Sequence, residues 1–360
     1  MWMGAALLRA ILPLLLAAGL LQGCGDRGKP SPPGGAPAVS PSASAPLPPP
    51  PPPGQRPIFV LNSLDADVSV IDPLTFKEVR RIPTGKEPHH LYMTPDEKSV
   101  IVANALSDSL TFIDPLRGVV QRVVTGIVDP YQLRFSPDMK WFVTAANRLN
   151  HVDLYRWNPG VAANPLKLEA RIELARTPSH LSIDSRSSVI YVSLQDSNEI
   201  AAIDIAKRSI LWKVPVGKMP ADVFLTADDR TLLVALTGDA FVEAYDVSGS
   251  QPKLIKRIKT GDGAHAFRAL GDGRHVLVSN RVINTISRID LTTLTVVGFY
   301  DALGGPDCIE VLADGKRVMT TSRWSRKLTV IDMPTRKLLH SVPVGNSPHG
   351  VWTLDHAPRQ

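Results

Sequence analysis

The chain has 360 residues, with 40 Lys and Arg against 34 Asp and Glu, a formal charge of +6 at pH 7. Residues 1–56 hold +3 of that (Arg9, Arg27, Lys29 and Arg56 against Asp26), so the rest is too mildly basic for a dedicated nucleic-acid binder. Cys24 and Cys308 are the only cysteines, and no Cys-x-x-Cys-His haem signal, phosphate-binding Gly loop or Gly-x-Ser-x-Gly elbow is present.

Arg9 precedes an apolar run, Ala10 to Leu20, which is broken by Pro13 and too short to span a bilayer. Leu21-Gln-Gly-Cys24 follows and resembles the bacterial lipobox. The resemblance implies a signal peptide over residues 1–23 and a lipid on Cys24, which would anchor the chain to a membrane and leave Cys308 without an intrachain partner. Gly25 after the Cys leans, by resemblance to enterobacterial sorting rules, towards the outer membrane. A bacterial cell-envelope location is therefore expected, on the periplasmic side of the outer membrane or at the cell surface.

Residues 24–56 read as a disordered tether. The stretch from Lys29 to Pro57 is built from Pro, Ser, Ala and Gly, with six consecutive prolines from Pro48 to Pro53. It has too little apolar side chain to repay ordering. Proline runs favour extended polyproline II at ~3.1 Å per residue, a semi-rigid spacer.

From Ile58 onward a short segment recurs: Val68-Ser-Val-Ile-Asp72, Leu110-Thr-Phe-Ile-Asp114, Ile200-Ala-Ala-Ile-Asp204, Val242-Glu-Ala-Tyr-Asp246, Ile286-Ser-Arg-Ile-Asp290 and Leu328-Thr-Val-Ile-Asp332. The Asp positions step by 42, 90, 42, 44 and 42, and the long step contains a degraded copy, Val152-Asp-Leu-Tyr-Arg156. A period of this length made of short strands predicts a β-propeller. Pro88 to Thr125 shows the grammar: strands over 88–94, 99–104, 110–114 and 119–124, with a turn at Pro95-Asp96. The repeated Asp is expected to cap the following turn through its carboxylate. Gly85, Gly126, Gly217, Gly261 and Gly345 read as turn positions that need positive φ.

Innermost strands align on Pro88, Pro130, Pro178, Pro220, Ala264, Pro306 and Pro348, which predicts seven four-stranded blades over residues 57–356, with 357–360 as a tail. The chain begins with a second-type strand, Ile58 to Asn62, and ends with a first-type strand, Pro348 to Leu354. The C-terminal strand must therefore join three N-terminal strands in one blade and close the ring. The repeat resembles the YVTN-repeat, or YncE-like, β-propellers, on Ile101-Val-Ala-Asn104, Leu277-Val-Ser-Asn280 and Phe59-Val-Leu-Asn62. The third blade departs most, with an insertion from Arg156 to Leu168. The resemblance implies this all-β fold and an envelope or secreted location, and no single activity.

Function is sought where equivalent positions differ. The two residues after each leading position are His89-His90, Tyr131-Gln132, Ser179-His180, Ala221-Asp222, His265-Ala266, Asp307-Cys308 and His349-Gly350, and they hold five of the nine histidines. They should crowd one mouth of the central channel. Loops between second and third strands should open on the same face, bringing Asn62, Asn104, Asn147, Arg148, Gln195, Asn280, Arg281, Arg323, Trp324 and Arg326, with the last arginines in a basic sector.

Three functional readings follow, for a chain expected to be monomeric. The mouth binds or scaffolds a protein or a small anionic ligand, through imidazole, amide and guanidinium donors. It holds a transition metal on His265, Asp307 or Cys308, His349 and His89 or His90, the only cofactor the residues suggest, and works as a metal-dependent or histidine-based enzyme. Or Arg281, Arg323, Arg326 and Trp324 contact single-stranded nucleic acid. The plain alternative is a hydrated rim whose histidines satisfy loop carbonyls. His151, His275, His340 and His356 lie away from the rim.

Overall fold

Alternation along a single strand explains how the repeat becomes a ring. In Ile58–Asn62, Ile58 and Val60 are buried with Leu328, Val330 and Val342, while Phe59 and Leu61 are buried with Val100, Val102 and Ile113. Successive side chains of a strand point to opposite faces, so a strand held between two neighbours is apolar at every position. The computed structural model describes residues 49–161 and 163–359 and repeats this arrangement throughout. Seven antiparallel sheets of four strands form, with one apolar cluster at each of the seven seams between blades. The innermost strands contact one another in sequence around the ring.

The strands after Glu87 form at Pro88–Met93, Val100–Asn104, Ser109–Ile113 and Val120–Thr125, each within a residue of the sequence expectation. Closure is as expected: Pro348–Thr353 pairs antiparallel with Ile58–Asn62, followed in the same sheet by Asp67–Asp72 and Lys77–Pro83. The insertion of the third blade is a longer outer hairpin between His151–Trp157 and Leu166–Glu173. The signal peptide, Cys24 and most of the tether lie outside the described residues.

The repeated Asp does cap its turn. Asp72 Oδ1 accepts the Leu74 N–H at 2.7 Å, and Asp114 Oδ1 accepts those of Leu116 and Arg117 at 2.8 and 3.0 Å. The repeated Asn behaves differently from the expectation that it lines the mouth. Asn62, Asn104 and Asn280 are fully buried. Asn104 Nδ2 donates to the hydroxyls of Ser109 and Thr111, and Asn280 Nδ2 to those of Thr285 and Ser287, at 2.9–3.2 Å. These amides tie the second strand to the third, and a buried amide needs such partners.

The glycine expectation also needs correction. Gly126 has φ +82°, but Gly85, Gly217, Gly261 and Gly345 do not adopt positive φ. A Cβ on Gly85 would lie 2.7 Å from Asn104 Cβ, and one on Gly261 would lie 2.8 Å from Ile283 Cγ2. These glycines let one blade's connecting loop pass close over the next blade's buried Asn or its neighbour.

Residues 357–359 pack under the ring. Ala357 N–H donates to Val311 O, and the Arg268 guanidinium donates to the carbonyls of Ala357 and Pro358. Arg268 also pairs with buried Glu310 at 2.7 Å, and Arg359 pairs with the same carboxylate. Nearby, the Asp355 carboxylate accepts the N–H groups of Gly54 and Arg56. Both ends of the described chain therefore sit at the end of the channel away from the leading prolines.

Candidate site in the axial channel

Each strand along the axis is preceded by a left-handed residue: Glu87, Asp129, Thr177, Met219, Gly263, Gly305 or Ser347, with φ between 43° and 82°. Only two are glycine, and a left-handed non-glycine residue costs energy that the surrounding packing must offset. The kink turns the chain inward. Immediately after it the pairing slips: Pro88 opposes Asn104 and Leu91 opposes Val102, so His89 and His90 together face Ala103. The same slip follows Pro178, Pro220, Ala264 and Pro306. Such a β-bulge suspends strict alternation and re-aims side chains. It is how both members of a leading pair, such as His89 and His90, reach the axis.

A bulge leaves an amide without a ladder partner, and a hydroxyl supplies one. Ser193 Oγ accepts the His180 N–H and Thr321 Oγ1 accepts the Cys308 N–H, at 3.1 and 3.2 Å. The two hydroxyls then donate to the carbonyls of Ala221 and His349 in the following blade.

The imidazoles meet across the axis. The His89 ring lies 3.6 Å from His349 and 3.9 Å from Tyr131, and His90 lies 4.7 Å from His180 and 4.8 Å from His349. His265 completes the group, 5.7 Å from His180 and 6.3 Å from His349. A carbonyl only accepts, which sets the ring tautomers. His90 Nδ1 donates to Tyr131 O at 2.9 Å and His349 Nδ1 to His89 O at 2.8 Å. His180 Nδ1 faces Asp222 Oδ1 at 3.0 Å. In each ring Nε2 is left as the lone-pair nitrogen. The Nε2 atoms of His90, His180, His265 and His349 are buried with no hydrogen-bond partner among the described residues.

Burial holds His89, His90 and His349 well below the ordinary histidine pKa, and holds His265 at about 4 with Arg281 adding to the effect. These four imidazoles are neutral at neutral pH. Asp307 stays ionised: burial works against it, but the Arg281 guanidinium overrides that and keeps its pKa well below the carboxylate range. Burial pushes the Cys308 thiol up, with Asp307 adding to the shift, so it is no thiolate. Burial likewise raises Tyr131 to about 12.

The structure brings His89, His90, Tyr131, His180, Asp222, His265, Asp307 and His349 together. Gln132 lines the cavity below them, with its Oε1 accepting the Leu181 N–H at 3.0 Å. Arg281 and Arg323 do not form an open basic sector with Arg326, because both turn inward onto Asp307. Arg326 and Trp324 are exposed. Cys308 Sγ lies 3.5 Å from the Nδ1 side of His349, away from the Nε2 lone pair. Among the described residues, two groups have metal-ligand spacing, each with its ligand atoms within 4.8 Å of one another: His89, His90 and His349; and His265, Asp307 and His349. The four other histidines have partners of their own, such as Asp272 for His275 and the Phe76 ring for His340.

Sequence reasoning missed Thr237, whose hydroxyl lies 3.3 Å from His265 Nδ1, and the Arg268–Glu310–Arg359 group at the lower end. Neither carries a sequence signal, because both depend on which blades become neighbours. Between the histidines and that group lies a cavity of about 100 Å³, lined by His90, His180, Asp222, Cys308, Arg268 and Arg359 among others.

The sequence profile of the YNCE-like beta-propellers matches residues 31–359. Among solved structures, the chain is similar to the Pseudomonas aeruginosa periplasmic gluconolactonase PpgL, with 17% identity, 85% of this chain and 99% of that one covered, and a TM-score of 0.70. It is similar to a functionally unknown protein from Desulfotomaculum acetoxidans DSM 771, at 15% identity, 85% and 100% coverage and a TM-score of 0.70. It is also similar to the dihydro-heme d1 dehydrogenase NirN in complex with DHE, at 16% identity, 83% and 75% coverage and a TM-score of 0.61. At these identities the likeness is one of fold. No curated protein matches the chain.

Proposed function

The chain belongs to the YNCE-like β-propellers, and on that footing we propose that it is a binding module of the bacterial cell envelope that takes a small polar occupant into its axial channel. One observation carries this reading: four imidazole nitrogens of the axial histidine cluster are buried with no hydrogen-bond partner among the described residues, and two of those rings, His90 and His180, line the cavity. Buried polar atoms are otherwise almost always satisfied. The size of the channel narrows the class. Its cavity of about 100 Å³ suits an ion or a few atoms, whereas sites for organic ligands run to roughly 300–1,000 Å³.

The test is thermal unfolding of the full chain with divalent ions, small anions and sugar lactones. A ligand at about 100 times its Kd stabilises by about 2.7 kcal/mol, a rise of several degrees for a domain of this size. A rise that vanishes in His90→Gln and His180→Gln, or in the His265→Gln, His349→Gln double variant, supports the reading. No rise with any compound, or one indifferent to all of these variants, defeats it.

A hydrolytic role, which would need the cavity to widen for an organic substrate, has its own supporting observation. His180 is oriented by Asp222 and turns a free Nε2 to the cavity, the arrangement of a general base. Lactone hydrolysis lost in His180→Gln would support it, and no hydrolysis at any pH between about 6 and 9 would remove it. The envelope location rests on the lipobox resemblance at Cys24, and unchanged membrane association in Cys24→Ser would contradict the anchor.

A further inference from the structure

Three atoms that all present lone pairs converge in the channel. His265 Nε2 lies 3.0 Å and His349 Nε2 lies 3.6 Å from the same carboxylate oxygen, Asp307 Oδ1. The three residues are at most 3% exposed, and they begin the axial strands of three consecutive blades. Neither nitrogen is placed to donate. His349 uses its Nδ1–H on the His89 carbonyl. His265 Nδ1 faces the Thr237 hydroxyl at 3.3 Å, and that hydroxyl spends its own hydrogen on the Ala264 carbonyl at 2.8 Å, so it accepts from the ring. The short approach of His265 Nε2 to Asp307 is not aligned as a hydrogen bond. Three acceptors pointed at one another repel unless a cation lies between them.

We propose that His265, His349 and Asp307 bind one divalent transition-metal ion of the zinc or copper class, and that Arg281 competes with the ion for Asp307. This rests on reading the channel as a binding site and names its ligand. Metal bonds of about 2.0–2.1 Å at tetrahedral angles place neighbouring ligand atoms about 3.3 Å apart, close to both distances here without backbone movement. Two imidazoles and a carboxylate suit zinc, copper, iron or nickel, whereas magnesium and calcium take oxygen sets. The outward nitrogens are held by a backbone carbonyl and a hydroxyl, the support that orients metal-binding histidines. Cys308 and His90, both expected as ligands on sequence grounds, lie outside this triad; His90 belongs to the group with His89.

Charge decides the role of Arg281. Asp307 meets two guanidinium groups, Arg281 on Oδ1 and Arg323 on Oδ2. A divalent ion added beside both would be repelled. Arg281 reaches Oδ1 from the partly exposed loop after Asn280, and its Nε has no hydrogen-bond partner among the described residues. It supplies the positive charge on the very oxygen the ion would use, and swinging outward it would exchange one cation for another.

The experiment uses the untagged full chain, stripped by a chelator and reloaded with Zn²⁺ or Cu²⁺. Bound metal is counted by plasma mass spectrometry, and affinity is read by competition with a chromogenic chelator. One ion per chain is expected. His265→Gln weakens binding by more than ~100-fold and Thr237→Val by ~10–100-fold. Arg281→Gln tightens it by about tenfold or more, the effect of removing a neighbouring like charge. Because Arg281 lies on a loop, that variant keeps the test alive if changes to the buried histidines disturb folding. No ion retained by either the wild type or Arg281→Gln overturns the site, as does retention unchanged in the His265→Gln, His349→Gln double variant. Unchanged or weaker affinity in Arg281→Gln overturns the competition. A non-metal occupant giving a His180-dependent thermal shift, with no ion bound, defeats this inference and leaves the binding module standing.

Discussion

His349 gives its Nδ1–H to the carbonyl oxygen of His89, 2.8 Å away, across the seam between the closing strand and the first strand of the next blade. The contact joins residues 260 positions apart in the chain. It belongs to the closure that also pairs Pro348–Thr353 with Ile58–Asn62. Deleting residues 348–360 removes that strand and exposes the apolar surface of two seams. The expected cost exceeds the roughly 5–15 kcal/mol that stabilises a whole domain. The product should be unfolded or aggregated by circular dichroism and size-exclusion chromatography, whereas deleting residues 357–360 alone should leave a folded ring. A cooperative unfolding transition in the longer deletion would contradict the closure.

Gly85 and Gly126 test two different demands on glycine. Gly85→Ala forces a methyl against Asn104 Cβ and should cost ~1–3 kcal/mol, as overpacking does. Gly126→Ala meets nothing within 4 Å but must hold φ +82°, for ~1–2 kcal/mol. Replacing each by Asn separates them in urea unfolding. Asn tolerates the left-handed region, so it should recover stability at 126 and lose more at 85.

Asn104→Ala strips the hydroxyls of Ser109 and Thr111 of a buried donor. A cost of ~1–3 kcal/mol in urea unfolding is expected. The neighbouring exposed Leu106→Ala serves as the control and should change stability by less than ~0.5 kcal/mol.

His356 links the docked tail to pH. Burial, with Arg359 adding to it, lowers its pKa below 6.5. Its Nδ1 donates to the Ala357 carbonyl and its ring lies 6.2 Å from Trp352. Glu310 and Arg268 face it as well, the first favouring the charged ring and the second opposing it. A depressed pKa means the docked form binds fewer protons than the released one. The contribution is full above pH 6.5 and is lost as pH falls below it. Hydrogen exchange at residues 355–359, corrected for intrinsic rates, should quicken between pH 7.5 and 5. His356→Gln should flatten that dependence.

How much of this was legible in the sequence depends on what each residue answers to. The Val-x-x-Ile-Asp repeat answers to its own strand and turn, so Asp72 and Asp114 cap where the pattern says they do. The leading positions at Pro88 and Pro348 gave the register and therefore the closure. Asn62 and Asn104 misled because a polar residue at a strand end looks like a rim residue until its Ser or Thr partners across the hairpin are seen. Gly85 misled for a related reason, since its constraint is a neighbour's side chain and leaves no trace in its own turn. Arg281 and Arg323 could be assigned to the mouth, but their convergence on Asp307 needed the true spacing of three blades. Thr237 becomes informative only when His265 is found beside it.

The seven seams suggest how such a protein can change its chemistry. Because the apolar clusters lie between blades and none lies on the axis, most of the residues that face the channel lie outside the seams that hold the ring together. Each blade contributes its own pair there, and exchanging one pair leaves six others and all the seams in place. A ring of this kind can trade a tyrosine for a histidine, or an aspartate for an alanine, one sector at a time. Its binding site is in effect a set of seven separately replaceable settings on an unchanged frame.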